Sequence, residues 1–334
     1  MEQMFILVVD ANEDRRQRYK ELFSKSGYIV LSASKGTQAL EIFRINAFEI
    51  RVVLVSDSIQ EMSCVTFVQH LKKDSILPEV LVLSDHLDIP DVVDLMKSGT
   101  YEVIKTPLPD DAVLLAVKNA IECTDILTKM DNYARHSQEI DIHTRLEIYQ
   151  NLQQKRRLQG KPVTIEELMM LFPSPSQRES ISLNSVIKEL ELNSKITTVP
   201  TLLIVEDEDE LRGALHRMLK PEYQIFLAAS GQEAIALLTQ EKQIDLVLLD
   251  IGLPDISGDT LISKIREIHK EADIIMLTAY NDFRTASNAM RSGASDFITK
   301  PFDDLILQVK LAGVLQKKYL RQLAPMYLQD RIKP

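Results

Sequence analysis

Polar side chains lie at the ends of a series of short apolar segments in the second half of the chain. In order, these residues are Glu206 with Asp207, then Asp250, Thr278 and Lys300. Crowded carboxylates without histidine or cysteine favour Mg²⁺, which prefers oxygen ligands and shares them with a phosphate. Asp250 would then be a nucleophile that forms an acyl phosphate, while Mg²⁺ and Lys300 offset the charge of the transferred oxygens. Thr278 would donate a hydrogen bond to one of those oxygens.

These residues can act together only if they lie at strand ends that meet in the fold. The strings TLLIVE, YQIFLA, DLVLLD, DIIMLT and SDFIT are short and almost continuously apolar, which is typical of strands that helices cover on both faces. Segments of helical period separate the strands, and DFRTASNAMRS is the one before the last strand. Five strand–helix units predict a doubly wound α/β domain with a parallel sheet and a site at the carboxyl ends of its strands.

The first third of the chain repeats this pattern. Five anchor positions match positions in the second half at offsets between 194 and 196. The matched pairs are Val9 with Val205, Gly36 with Gly231, Ser56 with Asp250, Ser84 with Thr278 and Lys105 with Lys300. Such a steady spacing predicts an internal duplication, and therefore two domains of the same fold.

Charge divides the chain in the same way. The 334 residues carry a net charge of −10, and residues 1–122 and 200–318 each hold 13 basic and 19 acidic side chains. Residues 123–199 hold ten of each sign, so no segment has the basic excess that nucleic-acid binding requires. We predict domains at 1–122 and 200–320, a helical connector at 123–199 and a tail at 321–334.

Two features bear on the surroundings of the chain. Cys64 and Cys123 are its two cysteines, too few for a disulfide framework, which is typical of a reducing compartment. The apolar run in MEQMFILVVD is too short for a signal peptide or a membrane span. We therefore expect a cytoplasmic protein without membrane contact.

The connector is predicted to be helical. No proline or glycine occurs between Pro109 and Gly160, so the last helix of the first domain is expected to run well into the connector. A capping box at Thr164–Glu167 predicts a second helix, and a third is predicted at about 176–192. Their apolar stripes must be buried against the flanking domains or a second copy of the chain, so a homodimer is one expected arrangement.

The second domain resembles the receiver domain of bacterial two-component response regulators. The resemblance rests on the acidic pair after the first strand, on DIGLPDISG from Asp250, on LTAY with Thr278 and on TKPF with Lys300. Together, in this order, these motifs cover nearly all of residues 200–318. The resemblance implies a flavodoxin-like (βα)5 fold in both domains and a bacterial origin.

The resemblance also assigns roles to site residues. It implies phosphorylation of Asp250, with Lys300 and Thr278 assisting, and a Mg²⁺ ion. The implied metal site consists of Glu206, Asp207, Asp250 and Gly252. Thr278 and Phe297, which lies three residues before Lys300, are the implied switch residues.

The first domain departs from the family pattern where the chemistry would be done. Asp10 keeps one acid of the pair, but the second is replaced by alanine, and Ser56 stands at the acceptor position. Asp57 could serve only if the strand slipped by one residue, which would turn its side chains over. Ser84 and Lys105 remain as counterparts of the threonine and the lysine. We interpret this domain as a degenerate receiver, or pseudoreceiver.

These observations predict a phosphorelay response regulator that takes its phosphoryl group from a histidine kinase or a phosphotransfer protein. Output would be through contact with an unidentified protein, and the receiver would act on its own acceptor, so it is not a classical enzyme. One alternative is an adaptor or scaffold that works without phosphorylation. Another is a DNA-binding regulator that uses the middle segment, against which the neutral charge of that segment argues.

Overall fold

The computed structural model describes residues 4–47, 49–75, 77–85, 88–136, 142–157, 159–172, 199–241, 243–279 and 292–328. The chain forms two compact units, one of residues 1–158, 167–189 and 320–334, the other of residues 159–166 and 190–319. Two predicted helices fall outside the described residues, the third connector helix at about 176–192 and nearly all of DFRTASNAMRS.

The first unit begins with five alternating strands and helices. The strands are β1 (Phe5–Val9), β2 (Ile29–Ala33), β3 (Ile50–Ser56), β4 (Glu79–Ser84) and β5 (Glu102–Lys105). The helices are α1 (Glu13–Lys25), α2 (Gly36–Ile45), α3 (Cys64–Asp74), α4 (Ile89–Lys97) and α5 (Asp110–His136). The strands form one parallel sheet in the order β2-β1-β3-β4-β5.

Side-chain caps determine where two of these helices begin. The Asn12 side chain accepts a hydrogen bond from the Arg15 amide at the start of α1, and Ser63 accepts one from the Thr66 amide at the start of α3. Each cap satisfies a backbone N–H that has no partner within its helix. Because only three residues separate the end of β1 from the start of α1, the first turn of α1 lies near the carboxyl end of that strand.

The connector contributes two further helices, α6 (Ile142–Arg157) and α7 (Ile165–Leu171). As predicted, α5 continues into the connector, as far as His136, and α7 begins directly after Thr164. Tyr149 of α6 is fully buried, and its ring meets that of Phe172 edge-on with centroids 6.1 Å apart. This ring contact therefore packs α6 against the residue that follows α7.

The second unit repeats the architecture. Its strands are β6 (Thr201–Val205), β7 (Gln224–Ala228), β8 (Leu246–Asp250), β9 (Asp273–Ala279) and β10 (Asp296–Lys300). Its described helices are α8 (Asp209–Leu219), α9 (Gly231–Gln240), α10 (Gly258–Ile268) and residues 304–319 of α11 (Asp304–Leu328). The parallel strand order, β7-β6-β8-β9-β10, matches that of the first sheet.

Both sheets confirm the predicted fold class, two doubly wound α/β domains joined by helices. All five residues of β8 are buried, as are four of the five in β1 and in β6. Strands buried on both faces are what a continuously apolar run predicts. Since all strands of a sheet run in parallel, their carboxyl ends meet at one edge, where the polar residues lie. Within the described residues, no helix is both long and apolar enough to cross a membrane.

Candidate functional site

Glu206 and Asp250 lie side by side at the carboxyl ends of β6 and β8. These strands are paired, with Val205 opposite Leu249, so the residues that follow share one edge of the sheet. Glu206 is 1% exposed and Asp250 is 9% exposed, whereas Asp207 faces solvent. One oxygen from each of the three carboxylates lies within 4.8 Å of the others. The fold thus brings together the three carboxylates that the sequence singles out.

Lys300, the last residue of β10, bridges two of these carboxylates. Its Nζ lies 2.8 Å from Oε2 of Glu206 and 2.9 Å from Oδ2 of Asp250. One strand, β9, separates β10 from β8, and the long lysine side chain spans that distance. The ammonium group therefore offsets part of the negative charge that the sheet topology concentrates here.

Charge and burial shift two pKa values in this cluster. Burial raises the pKa of Glu206 to about 6, with the charge of Asp250 adding to the increase and the hydrogen bond from Lys300 opposing it. Burial alone would lower the pKa of Lys300, but its hydrogen bonds to Glu206 and Asp250 outweigh burial and raise it. The lysine thus stays charged, while Glu206 binds a proton at a higher pH than an exposed glutamate does.

Gly252 lies two residues after Asp250 along the chain, and Thr278 lies on the neighbouring strand. The Gly252 amide donates a hydrogen bond of 3.1 Å to Oδ1 of Asp250, which orients that carboxylate. Thr278 is buried on β9, the strand next to Asp250, and its hydroxyl donates to the Ala279 carbonyl oxygen at 3.3 Å. The threonine hydroxyl therefore bonds to its own strand in this structure.

Phe297 lies on β10 and is buried. The Nζ of Lys310, on α11, lies 5.6 Å from the centre of its ring and 3.1 Å from Oδ1 of Asp296. A cation at this distance from an aromatic ring is attracted to its face. The ring of Phe297 thus packs inward beneath a lysine, and its role as a switch stays a prediction.

The donor set of the cluster suits Mg²⁺. Glu206, Asp207 and Asp250 offer carboxylate oxygens, the hard ligands that this ion prefers, and none of the three is a histidine or a cysteine. Asp207 is exposed, so the cluster is open to solvent on that side. Mg²⁺ usually keeps several waters, which an open side accommodates.

The strand registers align the first unit with the second. Ser56 lies opposite Leu83 in the first sheet, as Asp250 lies opposite Leu277 in the second. Ser56 therefore takes the position of Asp250, and it is buried. A serine hydroxyl carries no charge, so this position lacks the carboxylate that an acyl phosphate needs.

One acidic residue remains at the end of the first strand. Asp10 follows β1 as Glu206 follows β6, and their amides donate to Ala33 and Ala228 at 3.1 Å each. Asp10 is 1% exposed, and its Oδ1 accepts a hydrogen bond of 2.8 Å from the Asn12 amide. A buried carboxylate of this kind needs a positive partner.

Lys105 does not provide that positive charge. It lies opposite Ser84, whereas Thr278 lies opposite the residue before Lys300. With Ser84 at the position of Thr278, the counterpart of Lys300 is Thr106. The prediction that Lys105 is that counterpart is wrong by one residue, because matching VIKTP to ITKPF by letters ignores the hydrogen-bond register. Lys105 itself is exposed.

Arg15, on the first turn of α1, supplies the cation. Its Nε lies 2.8 Å from Oδ2 of Asp10, and its Nη2 lies 3.2 Å from Oδ1. Nη2 also donates to the Ser56 hydroxyl at 3.3 Å, and Nη1 lies 3.3 Å from Oδ2 of Asp85. Burial lowers the pKa of Arg15, but Asp10 and then Asp85 outweigh burial and raise it. The guanidinium therefore holds together three polar groups around the Ser56 position.

Two hydroxyl groups complete this arrangement. Ser84 donates to Oδ2 of Asp57 at 2.5 Å, and Thr106 donates to Oδ1 of Asp85. Asp57 is fixed by its amide, which donates to the Leu83 carbonyl oxygen at 2.8 Å. The carboxylate of Asp57 thus accepts the hydroxyl hydrogen bond of Ser84, the residue that corresponds to Thr278.

The role of Arg15 escaped the sequence analysis, although a signal for it exists. Arg16 donates to the two carbonyl oxygens that follow β1, at 2.6 and 3.0 Å, as Arg212 does to those that follow β6, at 2.7 and 3.2 Å. The two arginines therefore correspond, and Arg15 takes the place of Leu211. A charged residue in place of an apolar one, five residues after the acidic position, is visible in an alignment of the two copies.

Fold and site together define a class of protein: two parallel α/β domains, each with a polar cluster where its strands end. A family model described as the response regulator receiver domain matches residues 6–118 and 202–312, more than half of the chain. The protein therefore belongs to the response regulator receiver family and contains two receiver domains. We call residues 4–136 the first receiver and residues 199–328 the second.

Several known proteins are similar to parts of the chain. The transcriptional regulatory protein AfsQ1 of Streptomyces coelicolor is 36% identical over 120 residues, which are 36% of this chain and 52% of that protein. The transcriptional regulatory protein SrrA of Staphylococcus aureus is 41% identical over 112 residues, 33% of this chain and 46% of that protein. The chain thus spans about half the length of these relatives.

A solved structure of a response regulator receiver domain protein from Clostridium thermocellum is also similar. It is 30% identical, the match covers 37% of this chain and 98% of that one, and the TM-score is 0.36.

Proposed function

We propose that the second receiver accepts a phosphoryl group on Asp250 from a histidine kinase or a phosphotransfer protein, and that the chain is a two-component response regulator. The observation that carries this proposal is the cluster in which Lys300 bridges Glu206 and Asp250 beside Asp207. It combines a nucleophilic carboxylate, a fixed cation and oxygen ligands for Mg²⁺ at one edge of the sheet.

The proposed transfer begins with attack of an Asp250 carboxylate oxygen on the phosphorus of a phosphohistidine. A bond forms between that oxygen and phosphorus, and the phosphorus–nitrogen bond breaks. The electron pair of the broken bond returns to the imidazole, which takes up a proton from solvent. The products are an acyl phosphate on Asp250 and a neutral histidine on the donor.

Residues of the second receiver prepare this step. The Gly252 amide and the Lys300 ammonium each bind one oxygen of Asp250, which holds the carboxylate in a fixed orientation. Lys300 also supplies a positive charge next to the incoming phosphoryl oxygens. Glu206, Asp207 and Asp250 would hold Mg²⁺, which supplies further charge neutralisation for the same oxygens.

The receiver acts on its own side chain and would lose the phosphoryl group again by hydrolysis, so we do not class the chain as an enzyme. We propose that phosphorylation draws the Thr278 hydroxyl from the Ala279 carbonyl towards the phosphoryl group. Phe297 would shift with it and change the surface that a partner protein contacts. Such a switch needs a local change in charge and packing, and no large motion.

Intact-protein mass spectrometry after incubation with acetyl phosphate and Mg²⁺ tests the proposal. We expect one added phosphoryl group per chain in the wild type and none in Asp250→Asn. Asp57→Asn is the matched control, because it removes a carboxylate next to the corresponding position of the first receiver and should keep the adduct. Persistence of the adduct in Asp250→Asn, or its absence in the wild type with both acetyl phosphate and a kinase donor, would refute the assignment.

A second candidate function is supported by the first receiver. Its site is filled by Arg15, so this half of the chain could bind a partner without phosphorylation, as an adaptor does. The test is partner binding and sizing-column elution of Asp250→Asn. An adaptor keeps both unchanged, whereas a phosphorylation-controlled regulator loses the response that acetyl phosphate produces in the wild type.

A further inference from the structure

The first receiver contains a charge network centred on Arg15 where the second has an open acidic cluster. We infer that Arg15 is a built-in substitute for the metal ion, and that it holds the first receiver in one state that neither Mg²⁺ nor a phosphoryl donor changes. This inference concerns the first receiver alone and does not depend on phosphorylation of Asp250.

The position of the guanidinium is the first argument. In the second receiver the acidic cluster is offset by Lys300 from β10 and stays open on the side of Asp207. In the first receiver the lysine is replaced by Thr106, and the cation comes from α1 instead. Arg15 makes two contacts with Asp10, at 2.8 and 3.2 Å, and is 27% exposed, so its charged group covers the buried carboxylate of Asp10.

The bonding of the hydroxyl groups is the second argument. The Thr278 hydroxyl of the second receiver bonds only weakly to its own strand, at 3.3 Å, and can turn towards a new anion. Its counterpart Ser84 already donates to the Asp57 carboxylate at 2.5 Å. Asp57 thus already accepts the hydrogen bond that the Ser84 hydroxyl could otherwise donate to a phosphoryl oxygen.

Asp85 links the two parts of the network. Its Oδ2 lies 3.3 Å from Nη1 of Arg15, and its Oδ1 accepts a hydrogen bond from Thr106. Asp85 stands at the position of Ala279, so the second receiver has no carboxylate there. The first receiver therefore has an acid at the position of Ala279 and a base at the position of Leu211, and the two are paired with each other.

The pairing has an energetic consequence. Asp10 is 1% exposed, and loss of its cation leaves a buried carboxylate without a counter-charge, which strongly destabilises its surroundings. If Arg15 acts through charge, removal of the Asp10 charge as well should relieve the damage. If the arginine acts through packing alone, removal of that charge should make no difference.

Hydrogen–deuterium exchange of the full chain tests this reasoning on peptides from residues 5–12 and 50–58. Arg15→Leu, which copies Leu211, should speed exchange there by about tenfold or more. The matched control Arg44→Leu breaks an exposed ion pair with Asp74 and should change exchange by less than about threefold. The double variant Asp10→Asn/Arg15→Leu should recover most of the protection.

Two results would overturn the inference. One is a double variant in which residues 5–12 and 50–58 exchange as fast as in Arg15→Leu. If Arg15→Leu is insoluble, the equivalent result is a double variant that is also insoluble. The other is wild-type protein in which Mg²⁺ or acetyl phosphate slows exchange at residues 5–12. Exchange at residues 201–207 is read in the same experiment and reports separately on the second receiver, so failure of one proposal is distinguishable from failure of the other.

Discussion

The raised pKa of Glu206 predicts that Mg²⁺ binding to the second receiver depends on pH near 6. Burial, assisted by the Asp250 charge, raises this pKa from an ordinary 4.5 to about 6. An ion held by this carboxylate would compete with the proton, so apparent affinity would follow the deprotonated fraction of Glu206. Affinity should therefore be full well above pH 6 and be lost as the pH falls through that value.

The magnitude follows from the two pKa values. With a pKa of about 6, the deprotonated fraction of Glu206 rises from about a quarter at pH ~5.5 to nearly all at pH ~7.5, so affinity should rise about fourfold. With the ordinary pKa of 4.5, the same change of pH would raise affinity only about 1.1-fold. The difference between these two results is large enough to measure.

Isothermal titration calorimetry with Mg²⁺ at the two pH values is a suitable assay, because the chain has no tryptophan to serve as a fluorescent probe. Repetition in buffers of different ionisation enthalpy counts released protons, and about three-quarters of a proton per ion is expected at the lower pH. Glu206→Gln should bind more weakly and show no pH dependence from this position. Equal wild-type affinity at both pH values, without proton release, would refute the reasoning.

Three further predictions concern charges in the two receivers. Lys300→Met should slow phosphorylation by acetyl phosphate about tenfold or more, measured as the initial rate of mass gain, and an unchanged rate would contradict the proposed role. Lys318→Met breaks a pair with Asp245 whose side chains are 7% and 12% exposed, and should cost about 3 kcal/mol in urea unfolding; a loss below about 1 kcal/mol would show that water replaces the pair. Ser56→Asp should add no second phosphoryl group in mass spectra while Arg15 fills the site, and a second adduct would argue against that.

Much of the fold could be predicted because its signal is local. Runs such as DLVLLD are continuously apolar, which a strand covered on both faces requires, and the structure buries every residue of β8. Because the first domain repeats this pattern, the same fold could be predicted for it. The extension of α5 followed from the absence of proline and glycine over a long stretch, which is also local information.

Part of the site could be predicted for the same reason. Residues at the carboxyl ends of parallel strands must converge, so the order of Glu206, Asp250 and Lys300 along the chain was enough to place them together. The distances between these side chains and the raised pKa of Glu206 were not predictable from the sequence. Both depend on how deeply the folded chain buries the cluster and on how closely its charged groups approach one another.

The sequence by itself determined the architecture of this protein, its duplication and the presence of a serine, Ser56, where the second receiver has Asp250. These features depend on residue type and spacing along one chain. Only the tertiary structure decided that Thr106 takes the lysine position and that Arg15 provides the cation of the first receiver. The physical reason is that hydrogen-bond register and the reach of a long side chain from a neighbouring helix are properties of the assembled sheet, which no single segment encodes.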